Sequence, residues 1–217
     1  MFEILSQALS KAVSWPLGSV ARLIERTVMT KRSTPPLIRH IERHMGLINP
    51  KVGHWGWDHA DGTLLQVVAF RDQPTKGATT LCSLGLGYHE SCSPGGHVRQ
   101  EVLVSCLDRF VSDRLAELLP IAVEPALERH EALRPWQVLR SPGPLLPGIA
   151  LDALLCLEPL LFPDSFATFQ DTTPATEFVW LVPISSQEVA EVNAGRGEQL
   201  LAKWERHEVD ILDWGRA

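Results

Sequence analysis

The sequence predicts an α+β domain in which a mainly antiparallel sheet packs against helices. Two apolar runs of strand length, 64–70 and 78–86, are joined by a short polar turn, so the strands should pair antiparallel. Apolar residues recur at helical spacing over 108–124 and again over 185–204. The chain has 217 residues, of which 45% are hydrophobic and 21% charged, and this length can bury the core of such a domain.

Residues 1–35 are predicted to be an amphipathic helical extension, and residues 36–217 the folded domain. Apolar residues lie at helical spacing on both sides of Trp15-Pro16, in stretches too short to span a bilayer. The second stretch is basic, and such a helix can dock on a domain or lie on a membrane surface. Docking is the preferred interpretation. Membrane contact through residues 1–32, which would make the chain a scaffold module recruited to a membrane surface, is the alternative. Met29 could begin a shorter protein, so the sequence leaves undecided whether residues 1–28 belong to the native chain.

The domain begins with a predicted helix and three strands. The helix runs to about Met45, where Gly46 provides a natural end. The aromatic stretch 54–58 leads through a turn into the strand over 64–70, which is apolar enough to be buried on both faces. A third strand covers 98–107.

The second half begins with the predicted helix over 108–124, which Pro120 should kink or end. The proline-rich stretch 134–150 is predicted to be an ordered loop, because Leu145 and Leu146 need burial.

The last predicted strand, 177–182, should end at Pro183. Ser185 and Glu188 have the spacing of a capping box, so a helix should begin there, and two later glycines could interrupt it. Residues 209–213 are predicted to be a short strand or an extended tail.

Residues 79–90 form the most informative stretch of the chain. An apolar, strand-like run contains Gly85 and Gly87 at a spacing of two and is followed by His89 and Glu90. Glycines so placed are typical of a bulge, a bend or a close backbone approach. The stretch could therefore form the lip of a binding site.

The sequence contains no nucleophile elbow, phosphate-binding loop, zinc-protease motif or dinucleotide fingerprint. One cluster of His54, Asp58, His59 and Asp61 could serve acid–base or metal chemistry, and a metal-dependent hydrolase is the enzymatic alternative. The preferred interpretation is that the aromatic residues between these groups cover a sheet edge. The chain is accordingly predicted not to be an enzyme.

Composition argues against metals, cofactors and nucleic acid. The spacing of His89, Cys92 and His97 matches no common zinc pattern. The four cysteines are irregularly spaced and no signal peptide precedes them, so reduced thiols in the cytoplasm are expected. A net charge of −6 without a polybasic block disfavours binding to a phosphate backbone.

An ordered set of segments over residues 36–214 resembles the suppressor of fused domain family. Each segment is short, and their order along the chain carries the resemblance. The strongest segment is the junction at which a strand leads into the sequence Pro-Ile-Ser-x-x-Glu. The set consists of 79–87, the strand with Arg99 and Glu101, the helix after it, Trp136 with its Gly-Pro loop, 178–185 leading to Glu188, and 210–213.

The resemblance implies a mixed α/β domain that binds other proteins and has no catalytic motif. Short bacterial-type members resemble immunity proteins, so the predicted function is a non-catalytic module that neutralises a cognate toxin. Recognition is expected in the loops 89–97 and 142–148, because loops can vary while the sheet stays buried. The candidate partner-binding residues are His89, Glu90, His97, Leu145 and Leu146. The sequence does not identify the partner or the oligomeric state.

Overall fold

The protein is described by a computed structural model over residues 34–58, 62 and 64–216. Within this part of the chain, nine strands form one sheet in the order β1-β2-β3-β5-β9-β7-β6, with β4 on β5 and β8 on β9. The strands are β1 (His54–Asp58), β2 (Leu64–Arg71), β3 (Ala78–Leu84), β4 (Glu90–Ser93), β5 (Gly96–Leu107), β6 (Val138–Arg140), β7 (Ala153–Leu157), β8 (Thr168–Phe169) and β9 (Thr176–Ile184).

The predicted α+β fold with a mainly antiparallel sheet is confirmed. The exception is the central pair β5 and β9, which run parallel from Arg99↔Thr176 to Leu103↔Trp180. A parallel pair needs a long crossover, and here the intervening chain supplies one that contains two α-helices and three strands.

Helices cover both faces of the sheet. The long helix α2 lies on one face with the C-terminal Trp214, and we call this the α2-side core. Helices α1, α4 and α5 pack on the other face, the α1-side core, around Trp180 and Phe166. The helices are α1 (Pro36–Met45), α2 (Asp113–Arg129), α3 (Asp164–Ala167), α4 (Ser186–Asn193) and α5 (Gly197–Arg206). None of the helices in the described residues is long and apolar enough to cross a membrane.

Several predicted boundaries are confirmed. Helix α1 ends at Met45, and Gly46 follows with φ 92°. The helix that begins after Ser185 is interrupted near the two glycines, where α4 gives way to α5. The predicted burial of Leu145 and Leu146 is also observed, since both pack in the α2-side core. Residues 1–33 lie outside the described residues, so the amphipathic extension and its boundary at residue 35 stay predictions.

The helix predicted over 108–124 begins and ends later than expected. Residues Asp108–Phe110 form a 3-10 turn, and the Ser112 side chain caps α2 by accepting a hydrogen bond from Leu115 N–H. The helix then runs to Arg129 through Pro120 and Pro125. An internal proline costs about 3 kcal/mol in an isolated helix. Burial of one whole face of α2 against the sheet offsets that cost.

Pro183 does not end the last strand, which continues to Ile184. The carbonyl of Pro183 accepts a hydrogen bond from the Arg216 guanidinium, on the side away from β7. The N–H and C=O of one strand residue point the same way, so the donor that proline lacks also faces away from the ladder. Position 183 therefore tolerates proline inside a strand.

The aromatic stretch 54–58, which the sequence left without an assignment, is the edge strand β1 and pairs with β2. Trp55 and Trp57 pack against the α2-side core, as expected for aromatic residues that cover a sheet edge. Trp55 Nε1 also donates to Asp113 Oδ1 at 2.8 Å, which ties this edge to the start of α2.

The C-terminal segment is neither a strand nor an extended tail but a series of turns. It is nevertheless anchored to the sheet, since Leu107 N–H donates to Leu212 O at 2.9 Å. Trp214 is fully buried, and its Nε1 donates to Ser105 O at 3.0 Å. The segment thus closes one end of the α2-side core.

The predicted capping box at the start of α4 is confirmed. We expect Ser185→Ala to lower the free energy of unfolding by about 1 kcal/mol, because it removes the acceptor for Glu188 N–H. Denaturant unfolding would measure this loss. Gln187→Ala, at an exposed position two residues along the chain, is the matched control and should change stability little. Equal stabilities for the two variants would contradict the assignment.

Candidate functional site

The glycine-containing stretch forms a tight turn between β3 and β4. Strand β3 ends at Leu84, and Gly85 has φ 109°, a conformation that side chains rarely adopt. A 3-10 turn over Leu86–Tyr88 follows, and β4 then pairs antiparallel with the start of β5. Of the bulge, bend or close backbone approach that the glycines predicted, the structure shows a bend, and β3 ends at Leu84 instead of the predicted residue 86. We call residues 85–88 the Tyr88 turn.

Beneath the Tyr88 turn lies the fully buried side chain of Glu101. Its Oε1 accepts hydrogen bonds from the N–H groups of Gly85 and Gly87, both at 3.0 Å. Its Oε2 accepts from Ser83 Oγ at 2.5 Å, and the same hydroxyl accepts from Val102 N–H at 2.8 Å. The carboxyl group is thus surrounded by neutral donors that belong largely to the turn.

Burial raises the pKa of Glu101 to about 7, although the hydrogen bonds from Ser83 and the turn oppose the shift. Among the described residues, no lysine, arginine or histidine forms an ion pair with Glu101. A buried carboxylate without a counter-ion is costly, which accounts for the direction of the shift.

Close backbone approach explains both glycines. A Cβ on Gly85 would lie 2.6 Å from Leu64 O, and one on Gly87 would lie 3.1 Å from Glu101 Oε1. A side chain at position 85 would push the turn away from β2, whereas one at position 87 would require the Glu101 carboxylate to shift by a few tenths of an ångström.

Arg99 holds the same turn from its outer side. Its guanidinium donates to Gly87 O at 2.9 Å and to Tyr88 O at 3.3 Å, and it pairs with Glu90 Oε1 at 2.6 Å. Two side chains of β5, Arg99 and Glu101, therefore hold one turn, Arg99 through its carbonyl groups and Glu101 through its N–H groups. Tyr88, the only tyrosine of the sequence, projects from this turn with 78% of its surface exposed.

Three of the predicted partner-binding residues lie next to the Tyr88 turn. His89 ends the turn, while Glu90 and His97 are exposed on the hairpin formed by β4 and β5. His89 also lines a small apolar crevice between the turn and the C-terminal half of α2, with Leu86, Val123 and Leu127. The structure places these three residues in or next to the β4–β5 hairpin, and their role in binding stays a prediction.

Leu145 and Leu146 are in a different environment. They are 8% and 6% exposed and belong to the α2-side core. These side chains can support the shape of the 142–148 loop, but they present little surface of their own. Their contact with a partner stays a prediction.

The proposed catalytic cluster is only partly within the described residues. His54 Nε2 and Gln66 Oε1 are hydrogen-bonded at 2.8 Å, and burial lowers the pKa of His54. Asp58 ends β1 at an exposed position, whereas His59 and Asp61 lie outside the described part of the chain. Over residues 34–58, 62 and 64–216, no three His, Cys, Asp or Glu side chains gather in a group that could hold a metal.

Sequence reasoning singled out this stretch but missed its most exposed side chain. The strand was predicted over 78–86 and the candidate binding residues began at His89, so Tyr88 was not among them. The available signal was Gly85, because a glycine with positive φ ends the alternation and turns the next residues outward.

Together, the fold and the turn define a single-sheet α+β domain that presents a fixed, exposed aromatic side chain. The sequence model of the suppressor of fused protein family matches residues 61–217. The chain therefore belongs to the suppressor of fused family, as the resemblance indicated.

Two solved structures have a similar fold. A suppressor of fused homologue from Neisseria gonorrhoeae FA 1090 matches with a TM-score of 0.64 and 16% identity, over 84% of this chain and 93% of that one. A chain of the Sufu–Fu complex matches with a TM-score of 0.55 and 13% identity, over 78% of this chain and 84% of that one. These identities are low, so the likeness concerns the fold. No curated protein matches the sequence.

Proposed function

We propose that this protein is a non-catalytic module that binds another protein through the Tyr88 turn and the adjoining β4–β5 hairpin. The observation that carries the proposal is the 78% exposure of Tyr88 on a turn held by Glu101 and Arg99. Tyrosine has an apolar ring and a polar hydroxyl and is enriched at protein interfaces, so an exposed tyrosine on a fixed support favours a contact with a partner.

The chemistry of the surface suits protein recognition. Tyrosine and arginine are enriched among the residues that dominate binding energy at protein interfaces. A turn already fixed by hydrogen bonds loses little conformational freedom when it binds, so more of the contact energy appears as affinity. Glu90 and His97 would add polar contacts at the rim of this surface.

Family membership supports the same function. A related chain of similar extent is found in the Sufu–Fu complex, which contains a second protein. The chain also spans most of the bacterial homologue, which supports a role of the short bacterial kind. We therefore propose an immunity factor that neutralises a cognate toxin. The proposed setting is the cytoplasm, where its four free cysteines, three of them buried, would stay reduced.

The experiment is co-expression of the chain with the product of the neighbouring gene, followed by measurement of growth and of complex formation. An immunity factor should restore growth and copurify with the toxin. The proposal is wrong if no protein partner is found and the purified chain turns over a small-molecule substrate in a manner lost on changing His54 or Asp58. Salt-sensitive binding of residues 1–32 to anionic vesicles would instead support a membrane-recruited scaffold.

Tyr88→Ala is expected to weaken the complex at least tenfold, in keeping with the loss of about 2 kcal/mol typical of an interface hot spot. The free energy of unfolding should change by less than about 0.5 kcal/mol, because the side chain is exposed. Titration calorimetry and denaturant unfolding would measure the two effects. Leu160→Ala, at an exposed leucine in the loop after β7, is the control and should leave affinity unchanged. Unaltered binding of Tyr88→Ala would remove the turn from the interface.

A further inference from the structure

Glu101 is a buried carboxyl group directly beneath the Tyr88 turn, and binding of a partner by Tyr88 does not require an ionisable group there. The carboxyl group is fully buried and has no ion-pair partner among the described residues. The Tyr88 turn lies directly over it, because two N–H groups of the turn bind Oε1 and a Cβ on Gly87 would lie 3.1 Å from that atom. Opening of this short turn would remove those two donors and expose the carboxylate to water.

We propose that Glu101 is a proton-controlled latch, which holds the Tyr88 turn closed while the carboxyl group is protonated and favours opening of the turn once the proton is lost. The latch is a property of the free protein. Any effect of turn opening on the affinity for a partner rests on the proposed function of Tyr88. In this scheme Glu101 is a positioning residue, since it acts on the partner only through the turn.

The cost of burying a negative charge explains why loss of the proton favours opening of the turn. In the closed turn an ionised carboxylate has only neutral donors around it, whereas in the open turn water can solvate the negative charge. A protonated carboxyl loses little when buried, and its Oε1 can still accept the N–H groups of Gly85 and Gly87. Deprotonation therefore costs free energy in the closed state that it does not cost in the open state.

Because the pKa of Glu101 differs between the closed and the open turn, the stability of the closed turn depends on pH. The pKa of Glu101 in the closed state is about 7, raised by burial from the ordinary value of 4.5 that solvent exposure would restore. A group whose pKa is higher in the closed state stabilises closure fully below the lower value. That stabilisation is lost as the pH rises from about 4.5 to about 7, and it changes little above that range.

The side chains next to Glu101 are neutral, and the nearby Arg99 lies on the outer side of the turn. On β3, Ser83 is neutral, and burial together with the Glu101 charge raises the pKa of the Cys82 thiol well above its usual range. On β5, the Arg99 guanidinium binds the outer side of the turn and Glu90 of β4. On β9, the neutral Thr176 is the nearest side chain to Gly87 after Glu101. His89 follows the turn directly along the chain, so its imidazole is the control for assigning the effect to Glu101.

Hydrogen exchange of the Gly85 and Gly87 amides, followed by NMR on the full chain between pH 5 and 8, tests the latch without any partner. After correction for base-catalysed chemical exchange, the opening equilibrium constant should rise more than tenfold from pH 5 to pH 7 and then level off. Glu101→Gln, which carries no titrating proton, should abolish the rise. His89→Gln should retain it.

Three results would overturn the latch: a pH-independent opening constant in the wild-type protein, a rise that persists in Glu101→Gln, or a rise abolished by His89→Gln. If Glu101→Gln does not fold, the chemical shift of the Glu101 carboxyl carbon in the wild-type protein can be followed against pH instead. A titration midpoint below pH 5 would refute the proposal. Partner binding at one pH is a separate measurement. Failure of the latch is therefore distinguishable from failure of the proposed function.

Discussion

Trp214→Ala is expected to lower the free energy of unfolding by about 3–5 kcal/mol, the usual cost of emptying a buried aromatic site. Trp214 is fully buried and packs in the α2-side core. Its Nε1 donates to Ser105 O, so truncation would also leave a buried carbonyl group of β5 without that partner. The loss should exceed the Ser185→Ala effect several-fold.

Denaturant unfolding of the purified variants would measure this effect. Trp214→Phe is the graded control, because it keeps most of the ring volume and loses the hydrogen bond, and it should lose clearly less stability than Trp214→Ala. A loss below about 1 kcal/mol for Trp214→Ala would mean that the C-terminal turns are not part of the cooperative core.

Gly85→Ala is expected to destabilise the protein by at least about 2 kcal/mol and to displace the Tyr88 turn. Gly85 has φ 109°, where an alanine is strained. Its Cβ would also lie 2.6 Å from Leu64 O, a backbone atom of β2 that can move only with its strand. The same displacement would weaken the hydrogen bond from Gly85 N–H to Glu101 Oε1.

The matched control is Gly95→Ala in the loop between β4 and β5. There a Cβ would meet only Ser93 Oγ at 3.9 Å, so stability should change by less than about 0.5 kcal/mol. Unfolding curves give the stability difference, and chemical shifts of the Gly87 and Tyr88 amides report the position of the turn. Equal stability of the two variants, with unchanged shifts, would contradict the close approach of the turn to β2.

Local chemistry explains the predictions that are confirmed. Gly46 ends α1 and Ser185 with Glu188 begins α4, because caps depend on residues within one turn of the helix end. The antiparallel pairing of β2 with β3 was also predictable, since a short connection allows no other arrangement. The ordered short segments sufficed to recognise the family.

Two predicted ends, that of α2 near residue 124 and that of β9 at Pro183, are wrong because packing overrides local preference. Pro120 and Pro125 lie inside α2 because one whole helix face is buried on the sheet. Pro183 lies inside β9 because its missing donor faces away from the neighbouring strand, toward the side where Arg216 binds its carbonyl. Sequence periodicity contains no information about which side of a strand is left without a partner.

The fold class, the C-terminal end of α1, the cap of α4, the family and the region of the turn could all be predicted from the sequence. Those features depend on the spacing of apolar residues, on capping residues and on glycines, all within short stretches of chain. Three features could be seen only in the folded protein: β5 runs parallel to β9, Glu101 lies buried under Gly85 and Gly87, and Tyr88 points to solvent. Each of these features depends on contacts between segments that are far apart in the sequence, so a local pattern cannot specify it. The strands and turns that fold over a charged or aromatic side chain set its environment.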